Sequence, residues 1–463
     1  MSPAPDRAQR EAARNLDLAK RMREVEEAIL ARAPEHELQP SLDRIRAVME
    51  LLGDPQRTFP VVHLTGTNGK TSTTRIIEAL LRELGLRTGR FTSPHLHSMR
   101  ERIALSGKPI DTERFLAAYD EVLPLIELVD NRSAAEGGPR MTYFEVLVAV
   151  AYAAFADAPV DVAVVEVGLG GSWDATNVVD APVSVILPID LDHRHFLGDT
   201  VEQIATEKAG IIKADAITVM AAQPHEDAAE ILRERADEVG ARLVVAEVDF
   251  GVTERDVAIG GQQLSVRGLA GEYPDLFVPL HGAHQAQNVA AAIAAVEAFI
   301  GGGEQQLDSE VVRAALAEVA SPGRLEIVRR SPTVIVDAAH NPHGALALRE
   351  ALQDSFAFTR TIGLIAILAD KDASEMLEIL EPAFDEIVVS RTTSPRAMRP
   401  EALGELAAGI FGEHRVHVVK DLPDALDRAA ALADDGGVAG GVVATGSVTT
   451  AAEVRMLLGS TDG

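Results

Sequence analysis

Apolar runs without strict alternation take turns, along most of this chain, with segments whose apolar residues recur every three or four positions. Val160–Val167 and Val183–Ile189 are of the first kind, rich in β-branched residues, as expected of strands buried on both faces of a parallel sheet. Val61–Leu64 is a shorter strand candidate. The helix predicted after it runs through Ile76, Ile77, Leu80, Leu81 and Leu84 and stops at Gly85. Residues 6–52 read as two helices broken around Pro34 and Pro40. Helical patterns cover 112–129 and 142–156, with the polar stretch Arg132–Arg140 expected as a surface loop. A helix at 200–212, a strand at 217–220, a helix at 226–239 and a strand at 242–246 continue the alternation. From Val248 to Leu280 short alternating segments with Gly260-Gly261 and Gly268 predict antiparallel β-structure. An Ala-rich helix at 284–300 ends in Gly301-Gly302-Gly303, the best linker candidate. Beyond it, strand runs at 333–336, 362–368, 386–389, 415–419 and 439–445 alternate with helices, the pattern of a second α/β unit. The predicted division is 1–304 and 305–463, with the boundary between 301 and 322.

Composition narrows the class. The 463 residues are 47% apolar and 25% charged, ordinary for globular domains. With only 13 Phe, 4 Tyr and 1 Trp, aliphatic side chains must do most of the packing. A net charge of −28 repels a phosphate backbone or an anionic membrane, so neither nucleic acid nor membrane is an expected partner. Small anionic ligands in a locally basic cleft remain open. The chain has no cysteine, which excludes disulfides, thiolate zinc sites, Fe–S clusters and cysteine nucleophiles. A metal would have to sit on oxygen or imidazole, as magnesium does. The longest apolar run, Val146–Ala156, is too short to span a bilayer. The first residues mix charges of both signs with no apolar core, so a cytoplasmic protein is expected.

His63-Leu64-Thr65-Gly66-Thr67-Asn68-Gly69-Lys70-Thr71-Ser72 lies between a strand and a helix. That placement aims backbone N–H groups and a helix N-terminus at one point, where an anion is stabilised. Gly66 and Gly69 permit the tight backbone, and Lys70 can reach outer phosphates of a nucleotide. The commonest phosphate-loop spacing would need glycine at position 64, where this chain has leucine.

Three strand runs end in polar residues, where open α/β sheets bind ligands. They end at Glu166, at Asp190-Leu191-Asp192-His193, and at Asp337 with His340. A carboxylate on an apolar strand is costly unless paired or bound to metal. Lys208 has Ile204, Ala205, Ile211 and Ile212 as its neighbours three and four residues away, so along that face no carboxylate can pair with it. Such a lysine either snorkels to solvent or loses its proton. A neutral amine can take up carbon dioxide as a carbamate, an anionic metal ligand.

In order and spacing these motifs resemble the folylpolyglutamate synthase/dihydrofolate synthase family of the Mur ligase superfamily. The resemblance covers about 38–450 and rests on Thr65–Lys70, Ser93-Pro94-His95-Leu96, Glu101-Arg102-Ile103, Thr142-Tyr143-Phe144-Glu145 and Glu166–Gly171 with Asp174-Ala175-Thr176-Asn177. It continues through Leu191-Asp192-His193, Glu207–Ile211, His284-Gln285 with Asn288, Pro322-Gly323-Arg324, and Asp337 with His340-Asn341-Pro342. The fold it implies is an N-terminal P-loop-type parallel-sheet ATPase domain plus a smaller C-terminal Rossmann-like α/β domain that carries the glutamate ligase part.

The resemblance also implies roles. Thr67, Asn68, Gly69, Lys70, Thr71 and Ser72, with Asn288, Arg324, Asp337 and His340, would bind ATP. Ser93, Glu166 and His193 would hold a magnesium ion, and a carbamylated Lys208 with groups around His193 would hold a second ion. Leu38, Gln39, Pro40, Thr142, Tyr143, Phe144, Glu145, Trp173, Asp174 and Ala175 would line a pterin pocket. Lys70, Glu166, His193 and Lys208 are the catalytic candidates. The implied activity is that of a bifunctional ligase, adding L-glutamate to dihydropteroate and to reduced folates through an acyl phosphate. A monomer is expected, with hinge closure near 301–322 gating turnover. The alternatives are another amino-acid ligase of the superfamily and a P-loop ATPase that forms no amide. Simpler readings stand beside some of these roles. Thr142 and Glu145 have the spacing of a capping box, Trp173 could be a core anchor, and Ser93 before Pro94 is an ordinary turn residue. Departures from the family pattern are Thr71, where glycine is usual, Ser172-Trp173 in place of Arg-Leu, and Ala338 for glycine.

Overall fold

The apolar runs of the N-terminal half assemble into an eight-stranded sheet in the computed structural model, which describes residues 7–34, 40–435 and 439–460. Its strands are β1 (Val61–Thr65), β2 (Thr88–Phe91), β3 (Ile103–Leu105), β4 (Lys108–Pro109), β5 (Val162–Glu166), β6 (Val183–Ile186), β7 (Ile217–Met220) and β8 (Arg242–Val245). The order is β4-β3-β2-β5-β1-β6-β7-β8. Pairings from β2 across to β8 are parallel; β3 and β4 close one edge antiparallel. Strands β1, β5 and β6 are buried along their whole length, which accounts for their apolar runs. On one face, Val61, Phe91, Ala163 and Val165 pack with Val25, Ile29, Val48, Val122 and Leu147 of the helices Arg7–Leu30, Asp43–Leu51, Thr112–Ala135 and Tyr143–Asp157. On the other, Ile186 packs with Ile204, Ala228 and Leu232 of the helices Val201–Lys208 and Glu226–Val239. Strand β1 has β5 on one side and β6 on the other, so the sheet's switch point lies at the end of β1, where such sheets open a ligand crevice.

In the C-terminal part, β9 (Gly251–Ala258), β10 (Gly261–Arg267) and β11 (Glu272–Val278) form an antiparallel sheet. A six-stranded sheet follows, with strands β12 (Glu326–Arg330), β13 (Thr333–Val336), β14 (Arg360–Ile365), β15 (Glu386–Arg391), β16 (Val416–Asp421) and β17 (Gly440–Thr445). Its order is β12-β13-β17-β14-β15-β16, and only the β12–β13 pair is antiparallel. Side-chain alternation sends Ile335, Ile365, Ile387 and Val389 towards the helices Pro342–Ser355, Ala373–Leu380 and Pro400–Phe411. Val334, Val336, Ile362, Leu364 and Val388 face the helices Leu422–Asp435 and Val448–Leu457. Helices therefore cover both faces, as a Rossmann-like layer requires.

The chain divides into two compact units, residues 1–248 with 292–305 and residues 249–291 with 306–463. This differs from a single cut at 304. The antiparallel strands belong with the second unit because the helix Ser309–Ala317 packs on β11 and the Leu307 N–H donates to the Tyr273 hydroxyl at 2.8 Å. Among the described residues, no helix is long and apolar enough to cross a membrane.

Candidate functional site

Strand β1 ends in the glycine-bearing loop, and the geometry of that loop is set by its neighbours. A Cβ at Gly66 would stand 2.6 Å from Leu187 Cβ, so only glycine lets the loop lie this close to the end of β6. Thr67 is fixed on three bonds: its N–H donates to Pro188 O (2.9 Å), its hydroxyl donates to Asp190 O (2.9 Å), and that hydroxyl accepts from Asp190 N–H (3.0 Å). Asn68 is half-buried in the bend, and Gly69 takes the left-handed conformation (φ 88°) that starts the helix Lys70–Glu83. The N-terminus of that helix points its partial positive charge into the loop.

Lys70 and Lys208 meet on one atom. The Lys70 ammonium donates to Gly66 O at 2.8 Å and to Thr67 O at 3.2 Å, and Lys208 Nζ donates to the same Gly66 O at 3.0 Å. Lys208 is buried and does not snorkel. Burial, and then the charge of Lys70, push its amine down to about 7, against a weaker pull from Asp192, Asp174 and Glu207. Lys70, Lys208, Thr67, Asp192 and His193 line a single pocket, together with Thr65, Gly66, Leu197 and 167–170. Asp192 belongs to the strand-end acidic cluster and the Leu191-Asp192-His193 motif but carries no role from the sequence; its side chain is largely buried here. His193 is more exposed, adopts a left-handed conformation (φ 50°), and its N–H donates to Asp192 Oδ1 at 2.7 Å.

Glu166 ends β5 as a buried carboxylate, and Thr71 Oγ1 donates to its Oε1 at 3.1 Å. Thr71 is therefore the hydroxyl that addresses the acid, while Ser72 is buried in the helix. Ser93 is half-buried in the bend after β2. The following segment is anchored by Glu101, whose carboxylate accepts from the N–H groups of Leu96, His97 and Ser98 at 2.9, 3.0 and 2.8 Å. Burial alone would raise the Glu101 carboxyl; those bonds overcome it and hold the group below its usual value. His95 accepts from Arg102 Nε at 2.9 Å, and the Arg102 guanidinium lies 5.0 Å above the Tyr143 ring.

Of the residues assigned to a pterin pocket, Leu38 and Gln39 lie outside the described residues, and Pro40 is exposed. Thr142 and Glu145 form the reciprocal capping box of the helix Tyr143–Asp157, and Glu145 also pairs with Arg44 at 3.0 Å. Tyr143 and Phe144 are buried, the Phe144 ring lying edge-on to Phe91 and against Gly168. Trp173 is half-buried on an apolar cluster, its backbone N–H donating to Glu207 Oε1 at 3.2 Å. Asp174 and Ala175 are buried; Asp174 Oδ2 accepts from Leu169 N–H and Oδ1 from Thr176 N–H, both at 2.9 Å. Burial pushes the Asp174 carboxyl up to about 6 against these donors.

The remaining candidates belong to the second unit. Asp337, at the end of β13, accepts from Leu325 N–H (2.9 Å) and Ala339 N–H (2.8 Å), so it fixes the turn that carries Arg324. Its carboxyl is raised by burial, with Arg324 opposing. The His340 Nδ1 is 2.9 Å from Ala338 O, which makes it the protonated nitrogen, and Asn341 caps the helix Pro342–Ser355. Asn288 is buried and donates to Gln285 Oε1 at 3.1 Å.

Comparison with known proteins bears on this arrangement. The Mur ligase middle domain matches residues 64–296 and the Mur ligase glutamate ligase domain matches 323–448. Dihydrofolate synthase/folylpolyglutamate synthase of Mycobacterium tuberculosis is 50% identical over 456 residues, covering 94% of this chain and 93% of that one. The structure of Mycobacterium tuberculosis folylpolyglutamate synthase complexed with ADP superposes with a TM-score of 0.92 at 48% identity, over 96% of this chain and 100% of that one. That of E. coli FolC in complex with DHPP and ADP gives 0.82 at 29% identity, over 96% and 98%. The chain therefore belongs to the dihydrofolate synthase/folylpolyglutamate synthase family of Mur ligases, and it is an ATP-dependent ligase.

Proposed function

We propose that the chain joins L-glutamate to dihydropteroate and to reduced folates, converting ATP to ADP and phosphate. The observation that carries this reading is the pocket at the end of β1, where a phosphate loop, Lys70, and a buried lysine of depressed basicity converge. In the first step a carboxylate oxygen of the pterin acid attacks the γ-phosphorus, the bond to ADP breaks, and an acyl phosphate forms. The glutamate amine then attacks the acyl carbon, phosphate leaves, the nitrogen gives up a proton to solvent, and an amide remains. Loop N–H groups and the helix N-terminus hold the phosphates, and Lys70 exchanges the Gly66 and Thr67 carbonyls for phosphate oxygens, where its charge opposes the charge that develops.

Magnesium suits the donor set. Among the described residues, no group of three or more His, Asp or Glu side chains could hold a metal ion unaided. Mg2+ characteristically binds through one or two carboxylates, phosphates and water. Glu166, oriented by Thr71, would hold it with Ser93 and His193, and Lys208 as a carbamate would supply a further anionic oxygen donor. When bound, the ion neutralises charge on the transferring phosphoryl group. Asn288, Arg324, Asp337 and His340 are assigned to the nucleotide, and 142–145 with 173–175 to the pterin. We assign the enzyme to the cytoplasm, as a monomer.

The test is ADP release with dihydropteroate and with tetrahydrofolate, each with and without glutamate. ADP is expected only when an acid and glutamate are both present. Hydrolysis at the same rate without either would indicate an ATPase that makes no amide.

A further inference from the structure

Strand β1 carries a histidine in the middle of its apolar run, and the imidazole is fully buried. By strand alternation it shares a face with Val61, which packs in the same apolar cluster as the helix Tyr143–Asp157, and it does not line the pocket at the phosphate loop. A polar ring in such a place is costly unless something uses it. Its Nε2 is 2.9 Å from Thr176 Oγ1, and Thr176 Oγ1 donates in turn to Asp174 Oδ1. A hydroxyl has one proton; because Thr176 spends it on the carboxylate, its oxygen must accept from His63. The ring is thus the Nε2–H tautomer, and among the described residues its buried Nδ1 has no hydrogen-bond partner. Burial, and then the charge of Lys213, push the imidazolium down to about 3, so the ring stays neutral and the direction of the chain is fixed.

The far end of this chain is the loop that precedes Thr176. Asp174 also holds the N–H groups of Leu169 and Thr176, and the Tyr152 hydroxyl donates to Thr176 O at 2.8 Å. Two residues beyond His63 on the same strand, Thr65 Oγ1 donates to Gly170 O at 2.8 Å. The loop 169–176 is therefore tied to β1 at two points, just before β1 enters the phosphate loop.

We propose that His63 is a positioning residue for the acid substrate, fixing Asp174 and the loop 169–176 through the Thr176 hydroxyl. This rests on the reading that 173–175 line the pterin pocket. His63 touches no reacting atom; it sets where the loop stands. Leucine at 63 fills the space without a donor, whereas glutamine carries an N–H at a similar reach. Valine at 176 removes the relay and keeps the shape.

The experiment measures KM for dihydropteroate and for ATP in full-length His63→Leu, His63→Gln, Thr176→Val and the double variant His63→Leu/Thr176→Val. The Kd for dihydropteroate is read in parallel from the fluorescence of Trp173, the only tryptophan. Loss of a buried hydrogen bond to a charged-group network is expected to raise KM and Kd for dihydropteroate about tenfold in His63→Leu, with KM for ATP within about twofold. His63→Gln should recover most of the loss, and the double variant should be no worse than the worse single one. Equal increases in both KM values, no recovery with glutamine, or additive losses in the double variant would overturn the proposal. If His63→Leu does not fold, the Thr176→Val and Thr176→Ser pair reads the same relay, with the loss expected only in valine. Wild-type protein that binds dihydropteroate alongside a His63→Leu variant that binds it equally overturns this inference alone. Wild-type protein without saturable dihydropteroate binding overturns the functional reading and this inference with it.

Discussion

Replacing Lys208 with methionine removes a buried amine and keeps a side chain of similar length. Burial, assisted by Lys70, lowers that amine from 10.5 to about 7, which disfavours its charged form by about 5 kcal/mol. The folded value lies below the unfolded one, so between pH 7 and 10.5 the unfolded chain binds the extra proton. The stability withheld by Lys208 is thus greatest below pH 7 and vanishes as the pH rises past 10.5. Methionine also forfeits the bond to Gly66 O at 3.0 Å, worth about 1.5–3 kcal/mol for a charged donor. On balance Lys208→Met should be more stable than the parent by about 2–3 kcal/mol at pH 6 and lose that advantage by about pH 10, while ligation disappears. The assay is urea unfolding in buffer free of carbon dioxide, followed by Trp173, which sits in the same unit as the pocket. A variant less stable than the parent at pH 6, or a difference that does not change between pH 6 and pH 10, would refute the reasoning.

Other substitutions probe other parts of the account. Gly66→Ala puts a Cβ 2.6 Å from Leu187 Cβ and should cost about 1–3 kcal/mol in urea unfolding and abolish nucleotide binding; a variant that binds ATP normally would contradict the geometry. Thr71→Val frees Glu166 from its hydroxyl donor and should lower kcat about tenfold in steady-state kinetics, the loss of one hydrogen bond to a charged group; an unchanged kcat would show that Thr71 does not address the acid. His284, lowered to about 4 by burial and then by His343, Arg255 and Arg324, stays neutral in the fold, while the unfolded chain takes a proton below pH 6.5. Stability should therefore fall as pH drops from 6.5 to 4, by up to about 3 kcal/mol from this group, and His284→Gln should flatten that decline in urea unfolding followed by circular dichroism.

Much of the architecture was legible because buried parallel strands announce themselves. The run Val160–Val167 contains β5, Val183–Ile189 contains β6, and the helix 226–239 and strand 217–220 fall where their patterns put them. Strand β2 did not show, because its sequence Thr88-Gly89-Arg90-Phe91 has no apolar pattern. Arg90 is buried there in an ion pair with Glu78 of the preceding helix, Lys70–Glu83. The edge strands β3, β4 and β12 are short or half-exposed and leave little signal. The helix from Thr112 runs on to Ala135, past the point where polar residues suggested a loop, since only its inner face needs apolar groups. The helix expected over 200–212 tightens at Ala209, where Gly210 packs against Ser172, a contact that sequence spacing cannot reveal.

The site follows the same rule. Glu166 and Asp337 were recognisable as polar groups at the ends of apolar strands, and Lys70 as the lysine of a glycine-bearing strand–helix loop. Lys208 was recognisable as a lysine without a carboxylate on its face, but whether it snorkels depends on Gly66 and Lys70, far away in sequence. Asp192 rather than Asp190 lines the pocket, a choice made by a loop without periodicity; Asp190 instead faces His225 at 3.1 Å. The chain from His63 to Thr176 joins residues 113 positions apart, one in β1 and the other in the connection from β5 to β6, so no local motif could carry it.

The most direct test of the central claim follows oxygen. Dihydropteroate labelled with 18O in its carboxylate should pass one labelled atom to the inorganic phosphate released in each turnover, because the carboxylate oxygen that attacks the γ-phosphorus leaves with it. Phosphate that emerges unlabelled while the amide forms would contradict an acyl phosphate intermediate.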